Sequence, residues 1–390
     1  MTRKPALSCL ALAAAACGGG SLPEESARRD SAGVTIVTAP AADQALDWSW
    51  SARLRLGGAD SGSHAFYAVD RSNTAVDAEG RIYVLDRQVA RVVRFEPDGR
   101  VAWTAGGRGG GPGELLRPYA VAALGDGGVT VYDARKRALV PFDARGAALE
   151  QIPNPLGPVA VLAFDAQLLF KTRHYRQGAS GDGYRFRLSL IGVADTALIA
   201  ETPVGSTFSA SFDGCGRATA QTVGPTIYAP DLPWHAHPSG IAANSTAGYV
   251  VDVYAAPGRL VRSIRRPGLG RPATRDDALA WAAANPIVLQ REDAECQIPA
   301  DEMVDKMGFA DSVPAIADVA LAPSGELWVR RWAPAAPGGP IDVHDETGAY
   351  VGTLPREFPF PLHFLPTGEP LFAERDENDV ETLVVAVVRR

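Results

Sequence analysis

GRIYVLDRQVARVVRFEPDG (residues 80–99) aligns without gaps on GGVTVYDARKRALVPFDARG (residues 127–146). Gly80 matches Gly127, Asp86 matches Asp133, Phe95 matches Phe142 and Gly99 matches Gly146, all at an offset of 47 residues. Each copy reads as an alternating β-run, a polar turn opened by Asp, a second β-run ending in an aromatic, and a Gly-containing hairpin. One such small sheet cannot bury both of its faces, so neighbouring units must stack.

More degenerate copies follow. PSGELWV (323–329) and IDVHDETG (341–348) supply the two runs of one unit, and YVVDVYAAPGRLVRSIRR (249–266) the outer part of another. Alternating runs fill residues 158–205, and FLPTGEPLFAERDENDVETLVVAV (364–387) ends the series. Six units are read, beginning near residues 68, 119, 158, 206, 314 and 359. Seven would need units of about 42 residues, which is within range for such repeats, but six fits the 47-residue period better. The last unit stops at Arg390 after its third strand, whereas ARLRLGGADSG (52–62) resembles VAWTAGGRGGG (101–111), the outer strand and exit loop of the first full unit. An early strand of that kind can complete the last unit and close a ring, which removes exposed sheet edges. The expected fold is therefore all-β: a six-bladed β-propeller over residues 51–390, closed by an N-terminal strand. GVTIV (33–37) is expected to add a further strand nearby.

Residues 269–313 break the repeat. Thr274 with Asp277 three residues on resembles an N-cap box, DDALAWAAA is rich in helix formers up to Pro286, and ADEMVDKMG reads as a second helix stopped by Gly308. A small helical insertion between blades 4 and 5 is expected, forming a lid or a docking surface.

Composition supports many short strands. Gly (40) and Pro (30) are scattered at short intervals among the 390 residues, which excludes a helical bundle. The net charge of −7, without a block of Lys or Arg, argues against nucleic acid as a partner. At the N-terminus, Arg3 and Lys4 precede an apolar stretch too short to span a bilayer. Ala14, Ala15 and Ala16 before Cys17 resemble the lipobox of bacterial lipoproteins, with Ala14 standing where Leu is usual. That resemblance implies a signal peptide over 1–17, lipidation of Cys17 and a tether plus N-terminal strand over 18–50; an ordinary signal peptide is the alternative. Gly18 in place of Asp favours the outer membrane, with the lipid as the sole membrane contact. Cys215 and Cys296 would then remain in an oxidising compartment, as one disulfide or as two separate buried thiols.

The loop GGRGGGPGELLRP (106–118) resembles the inter-blade loop of bacterial six-bladed β-propeller lipoproteins related to NHL-repeat proteins. DSAGVTIV (30–37), the GRIYVLD and FEPDG repeat halves, GELWV (325–329) and DENDVETLVV (376–385) fit the same family. The resemblance implies an exported, often lipid-anchored six-bladed propeller and little specific chemistry.

Candidate sites are sparse. No GK[ST] follows the Gly-rich loop, so its glycines read as a tight crossover, with Glu114 and Arg117 at a channel rim. His235 and His237, at i and i+2 of an expected innermost strand, point to one face and could supply two metal ligands, with His64, His174 or His363 as a third. Arg330 and Trp332 could meet a ligand by stacking or cation–π contact. The run ERDENDVE (374–381) does not match a Ca²⁺ loop and reads as a hairpin tip. No contiguous motif calls for a cofactor; channel-bound Ca²⁺ or Zn²⁺ has no motif behind it. Two function classes follow. One is a monomeric binding or scaffold protein for an envelope protein, peptide or glycan; the other is a metal-dependent hydrolase or lyase acting in the central channel. An Arg-lined, apolar or plugged channel would favour the first, and three or more converging imidazoles or carboxylates the second.

Overall fold

The computed structural model describes residues 26–58, 65–164, 167–176, 183–191, 196–213, 221–255, 258–290, 295–336 and 338–390. The expected signal peptide, Cys17, His64 and Cys215 lie outside the described residues.

Six four-stranded antiparallel meanders follow one another along the chain. Sheet 1 holds Thr74–Val76, Ile82–Asp86, Arg91–Phe95 and Val101–Gly106; sheet 2 holds Pro118–Ala123, Val129–Asp133, Ala138–Phe142 and Ile152–Pro153. Sheet 3 holds Pro158–Phe164, Gln167–Arg176, Gly183–Ile191 and Thr196–Glu201; sheet 4 holds Trp234–His237, Gly240–Ala243, Val250–Ala255 and Arg259–Arg265. Sheet 5 holds Ile316–Leu321, Leu327–Arg331, Ile341–His344 and Tyr350–Leu354. Sheet 6 takes His363–Phe364, Pro370–Arg375 and Glu381–Arg389 from the end of the chain and Ser49–Gly57 from its beginning. That last pairing runs antiparallel from Ser49↔Arg389 to Gly57↔Thr382.

The repeat aligned in the sequence falls on equivalent hairpins, with Ile82↔Phe95 in sheet 1 and Val129↔Phe142 in sheet 2. Its Asp has a structural task. Asp133 is fully buried, and its carboxylate accepts the backbone N–H groups of Leu116, Arg117, Arg135 and Lys136 at 2.7–3.0 Å. One side chain thereby fixes a turn and the crossover loop beside it. In that crossover Gly106, Gly107 and Gly113 have positive φ. A Cβ on Gly113 would stand 2.6 Å from the Ala148 Cβ, so the packing of the crossover against the segment after Phe142, together with the positive φ, admits only glycine there. ERDENDVE also forms a hairpin turn: Asp376 accepts Asn378 N–H at 2.8 Å and Val380 N–H at 2.9 Å, while Asp379 takes the positive-φ position that glycine fills elsewhere.

The core lies between sheets. Separate apolar clusters join sheets 1 and 2 (Tyr83, Leu115, Phe142), 2 and 3 (Ala122, Phe170), 3 and 4 (Leu188, Trp234), and 4 and 5 (Ile264, Val329). Two more join sheets 5 and 6 (Trp328, Phe372) and sheets 6 and 1 (Leu383, Val84). The innermost strands touch in the same succession, and His363–Phe364 meets Thr74–Val76. Strands buried on both faces this way need near-continuous apolar runs, which accounts for the wholly buried VTVYD and ALVPF of sheet 2.

Two expectations are corrected. Val34–Thr38 does not lie beside Ser49–Gly57 in sheet 6; it pairs in parallel with Arg259–Arg265 at the outer side of sheet 4, and Ala27–Ser31 pairs outside it. The chain then crosses as a strap: Ala39 N–H donates to Arg265 O, Thr353 N–H to Gln44 O, and Leu46 N–H to Thr353 O, before Ser49–Gly57 enters sheet 6. The fourth repeat begins at Trp234 rather than near 206. Gly205–Ala210 and Thr222–Pro225 instead form a hairpin attached to Gly183 and Tyr184 of sheet 3.

Between sheets 4 and 5 stand helix α1 (Arg275–Ala284) and helix α2 (Ala300–Met307). The Thr274–Asp277 capping box is present in both directions, and Gly308 ends α2 at φ 64°. Ala278, Ala282, Met303, Val304 and Met307 pack on Phe212, Ile227 and Tyr228 of the 205–229 segment. Asp213 N–H donates to Glu302, and Lys306 pairs with the Asp213 carboxylate at 2.7 Å. Cys296 is disulfide-bonded, and the chain's other cysteines lie outside the described residues.

Candidate functional site

The innermost strands end around a cavity of about 1090 Å³. Its wall draws on sheets 1, 2, 3, 4 and 6 through Val76 and Asp77, Leu124 and Asp126, Phe164 and Gln167, His235 and His237, and His363 and Phe364. The alternation of Trp234–His237 turns both imidazoles toward it, while Trp234 packs into the core between sheets 3 and 4.

Each imidazole is held as a neutral group. Leu321 N–H donates to His235 Nδ1 at 3.1 Å, which places the proton on Nε2. That Nε2 is buried without a hydrogen-bond partner. Burial, followed by the charge of Arg71 and the neighbouring His363, drives the His235 pKa well below that of a free imidazole. His363 donates from Nε2 to the Thr74 carbonyl at 2.9 Å, and burial first and Arg71 second lower its pKa to about 3. The His235 and His363 rings are 5.8 Å apart, centroid to centroid. His237 accepts Ser239 N–H at Nδ1, and burial lowers it to about 4.

Arg71 ties together the opposite ends of the innermost strands. Its Nε donates to Leu362 O at 2.9 Å, Nη2 to Pro361 O at 3.1 Å, and Nη1 to Trp234 O at 3.2 Å and to Asp318 Oδ1 at 2.7 Å. One guanidinium therefore bridges sheets 1, 4, 5 and 6, and all four of these contacts reach chain segments remote in sequence. It also lines a second cavity of about 620 Å³ on the opposite side, together with Lys171, Arg173, Phe186 and Trp234. Nothing around Arg71 in the sequence marks it; it sits in a polar DRSN segment just before a strand.

The other residues singled out in the sequence are dispersed. Glu114 is exposed and closes its own loop by accepting Gly111 N–H at 2.7 Å. Arg117 is exposed on the same crossover and lines none of the three principal cavities. Arg330 is buried, not at a rim: its Nη atoms donate to the Gly339, Arg356 and Phe358 carbonyls, and burial lowers its pKa to about 10. Trp332 stacks edge-on against Tyr228 at 5.2 Å and seats the helical insertion. Both side chains are therefore consumed by packing, Arg330 by carbonyls of Gly339, Arg356 and Phe358 and Trp332 by the insertion. Of the three candidate third histidines, His363 shares the cavity with His235 and His237, whereas His174 lines a separate cavity of about 250 Å³. Among the described residues, no three His, Cys, Asp or Glu side chains converge as a metal-binding group.

No family model matches the chain, and no curated protein matches it. Solved structures do. A protein of Bacteroides fragilis described as exported is similar over 91% of this chain and 100% of its own, at 12% identity and a TM-score of 0.52. A member of the DUF4221 family from Bacteroides vulgatus is similar over 88% of this chain and 99% of its own, at 10% identity and a TM-score of 0.46. The first likeness shows a shared, mostly β fold, and at that identity it shows the fold alone.

Proposed function

We propose that the six sheets are the blades of a closed six-bladed propeller, sealed by Ser49–Gly57. The chain acts as an exported binding or scaffold protein of the cell envelope, taking a segment of a peptide, glycan or protein partner into the cavity beside His235 and His237. The observation that carries this reading is the chemistry of that cavity. Its wall combines Phe164, Phe364, Leu124 and Leu168 with neutral imidazoles and with Asp77 and Asp126, whose carboxylates are taken up by Arg81 and by Gly128 N–H, and Arg71 closes the channel behind it through hydrogen bonds from sheet 1 to sheets 4, 5 and 6. Apolar surface with a few fixed polar groups suits recognition of an uncharged segment. Export rests on the N-terminal signal, and lipidation of Cys17 would hold the propeller at a membrane, the outer membrane in a diderm cell.

Gly125 offers the test. It lies on the cavity wall, and a Cβ there meets nothing within 4 Å, so Gly125→Trp obstructs the cavity without strain. Capture from a native envelope fraction should recover a specific partner with the wild type and lose most of it with Gly125→Trp. Equal recovery by the two proteins rejects the cavity as the binding site. The hydrolase or lyase reading keeps one supporting observation, the three histidines on one cavity wall; stoichiometric metal lost in His235→Ala would favour it. We further propose Cys215 as the disulfide partner of Cys296, because Asp213 is already fastened to Glu302 and Lys306 of α2. Two maleimide-reactive thiols without reductant would reject that pairing.

A further inference from the structure

The second strand of sheet 3, Gln167–Arg176, has ten residues, whereas the second strands of the other five sheets have four to six. Its partner Gly183–Ile191 follows it in register to Arg176↔Gly183. The innermost strand of the sheet stops earlier, at Pro158↔Thr172. Among the described residues, Arg173–Arg176 therefore has no strand on that side. The hairpin projects past its own blade with an open edge.

Its charge is out of keeping with the rest of the chain. Residues 167–191 contain five of the 38 Lys and Arg residues but one of the 45 Asp and Glu residues. Basic groups stand on both faces. On one, the exposed Arg173 guanidinium lies over Phe186 at 5.1 Å and Tyr184 at 5.7 Å and donates to Tyr175 Oη at 3.3 Å, while the carboxylate nearest that face, Asp231, is paired with Lys171 at 2.5 Å. Lys171 lies beside it over Phe186, at the mouth of the 620 Å³ cavity. On the other face, Arg185 and Arg187 donate to the two oxygens of Glu201 at 2.6 and 2.8 Å. Those arginines and His174 line the 250 Å³ cavity, which is large enough for one more side chain. The hairpin thus already grips one carboxylate between two guanidiniums and presents a third guanidinium that is pre-stacked and, among the described residues, in no ion pair.

We infer that this hairpin is a docking arm for an extended, acidic segment of a partner protein. The segment would add along the open Arg173–Arg176 edge and place its carboxylates against Arg173 on one face and Arg185 and Arg187 on the other. Strand addition supplies main-chain hydrogen bonds, and the arginines supply selectivity for acidic side chains. A protein segment fits better than an anionic bilayer, because the linking residues Gln-Gly-Ala-Ser-Gly-Asp (177–182) contain no large apolar side chain to enter lipid. This inference is independent of the cavity beside His235, which lies on the other side of Arg71.

The test is fluorescence anisotropy of a short fluorescein-labelled peptide alternating Glu and Val, titrated with the full-length protein. Binding should weaken at high salt and fall by about tenfold or more in Arg173→Glu/Arg187→Glu. Arg135→Glu, on the exposed turn of sheet 2, should leave it unchanged. The exposed single variant Arg173→Gln, with unchanged thermal melting, separates lost recognition from lost folding and should also bind more weakly. Absence of peptide binding, or binding indifferent to both arginine variants, overturns the inference. So does arginine-dependent attachment to phosphatidylglycerol vesicles by a protein that ignores the peptide.

Discussion

Asp342→Ala should destabilise the protein far more than removal of any surface charge. Asp342 is fully buried in sheet 5, and its carboxylate accepts Arg331 Nε at 3.0 Å, Arg331 Nη2 at 2.6 Å and Thr353 Oγ1 at 2.7 Å. The Arg266 side chain, itself without exposure, stands 2.7 Å away through Nη1, as an ion pair whose alignment falls short of a hydrogen bond. Arg266 also donates to the strap carbonyls of Pro40 and Ala42, and with Arg331 it reaches Asp43. This network fastens sheets 4 and 5 to the strap that leads into Ser49–Gly57. Truncating one partner of a buried pair leaves the other charge uncompensated, a loss of about 3–5 kcal/mol. Asp43 remains to share the two guanidiniums, but it is half-exposed, so the lower half of that range is expected. Against a total stability of about 5–15 kcal/mol, and with an unfolding entropy of about 2 cal/mol/K per residue in a chain of this length, the melting temperature should fall by roughly 5 °C. The assay is thermal melting by circular dichroism beside Arg53→Ala, which breaks an exposed pair with Glu369 and should cost no more than about 1 kcal/mol. If Asp342→Ala melts within a degree or two of Arg53→Ala, the network does not lock the strap.

Three other outcomes are expected. His344 and His363 are buried neutral, with pKa values lowered to about 4 and about 3, mainly by burial. The unfolded chain binds protons there first, so stability is full above about pH 6.5 and declines as the pH falls toward 4 and 3, which urea titrations across that range would register. A flat profile between pH 7 and pH 4 would contradict it. Deleting the chain through residue 58 exposes Glu381–Arg389 as a long apolar edge, and size-exclusion chromatography should show aggregation; a stable monomer would argue against closure by Ser49–Gly57. Arg71→Met should lower stability and raise solvent exchange at the Trp234 and Leu362 amides, and unchanged hydrogen exchange would show that Arg71 does not close the channel.

Much of the architecture was legible because it is written in local chemistry. The 47-residue offset falls on hairpins whose Asp and Gly are required by buried N–H groups and positive φ, and such needs recur wherever the turn recurs. The resemblance of residues 52–62 to an outer strand had the same origin. Thr274 and Asp277 announced α1 because capping is a four-residue affair. What the sequence did not reveal is long-range. The parallel pairing of Val34–Thr38 with sheet 4 depends on a strap gripped by Arg266 and Asp342, more than 220 residues away from it. The 206–233 segment looked like the start of a repeat because it shares the small, polar character of loops between repeats. Arg330 and Trp332 read as rim residues because arginine and tryptophan beside Pro and Gly resemble a rim; carbonyls of Arg356 and Phe358 and the ring of Tyr228, which bury them, leave no local signature. His235 and His237 were placed on one face of an innermost strand by alternation alone, but Arg71 behind them was invisible.

The most direct test of the binding cavity is site-specific photo-crosslinking in intact cells. A benzophenone amino acid would replace Gln167, on the cavity wall, and in a second strain Arg135, on the outside of sheet 2. A discrete cross-linked adduct from position 167, absent from position 135 and abolished by Gly125→Trp, is the expected result. Adducts of equal yield from both positions, or none from position 167, would contradict a partner-binding cavity.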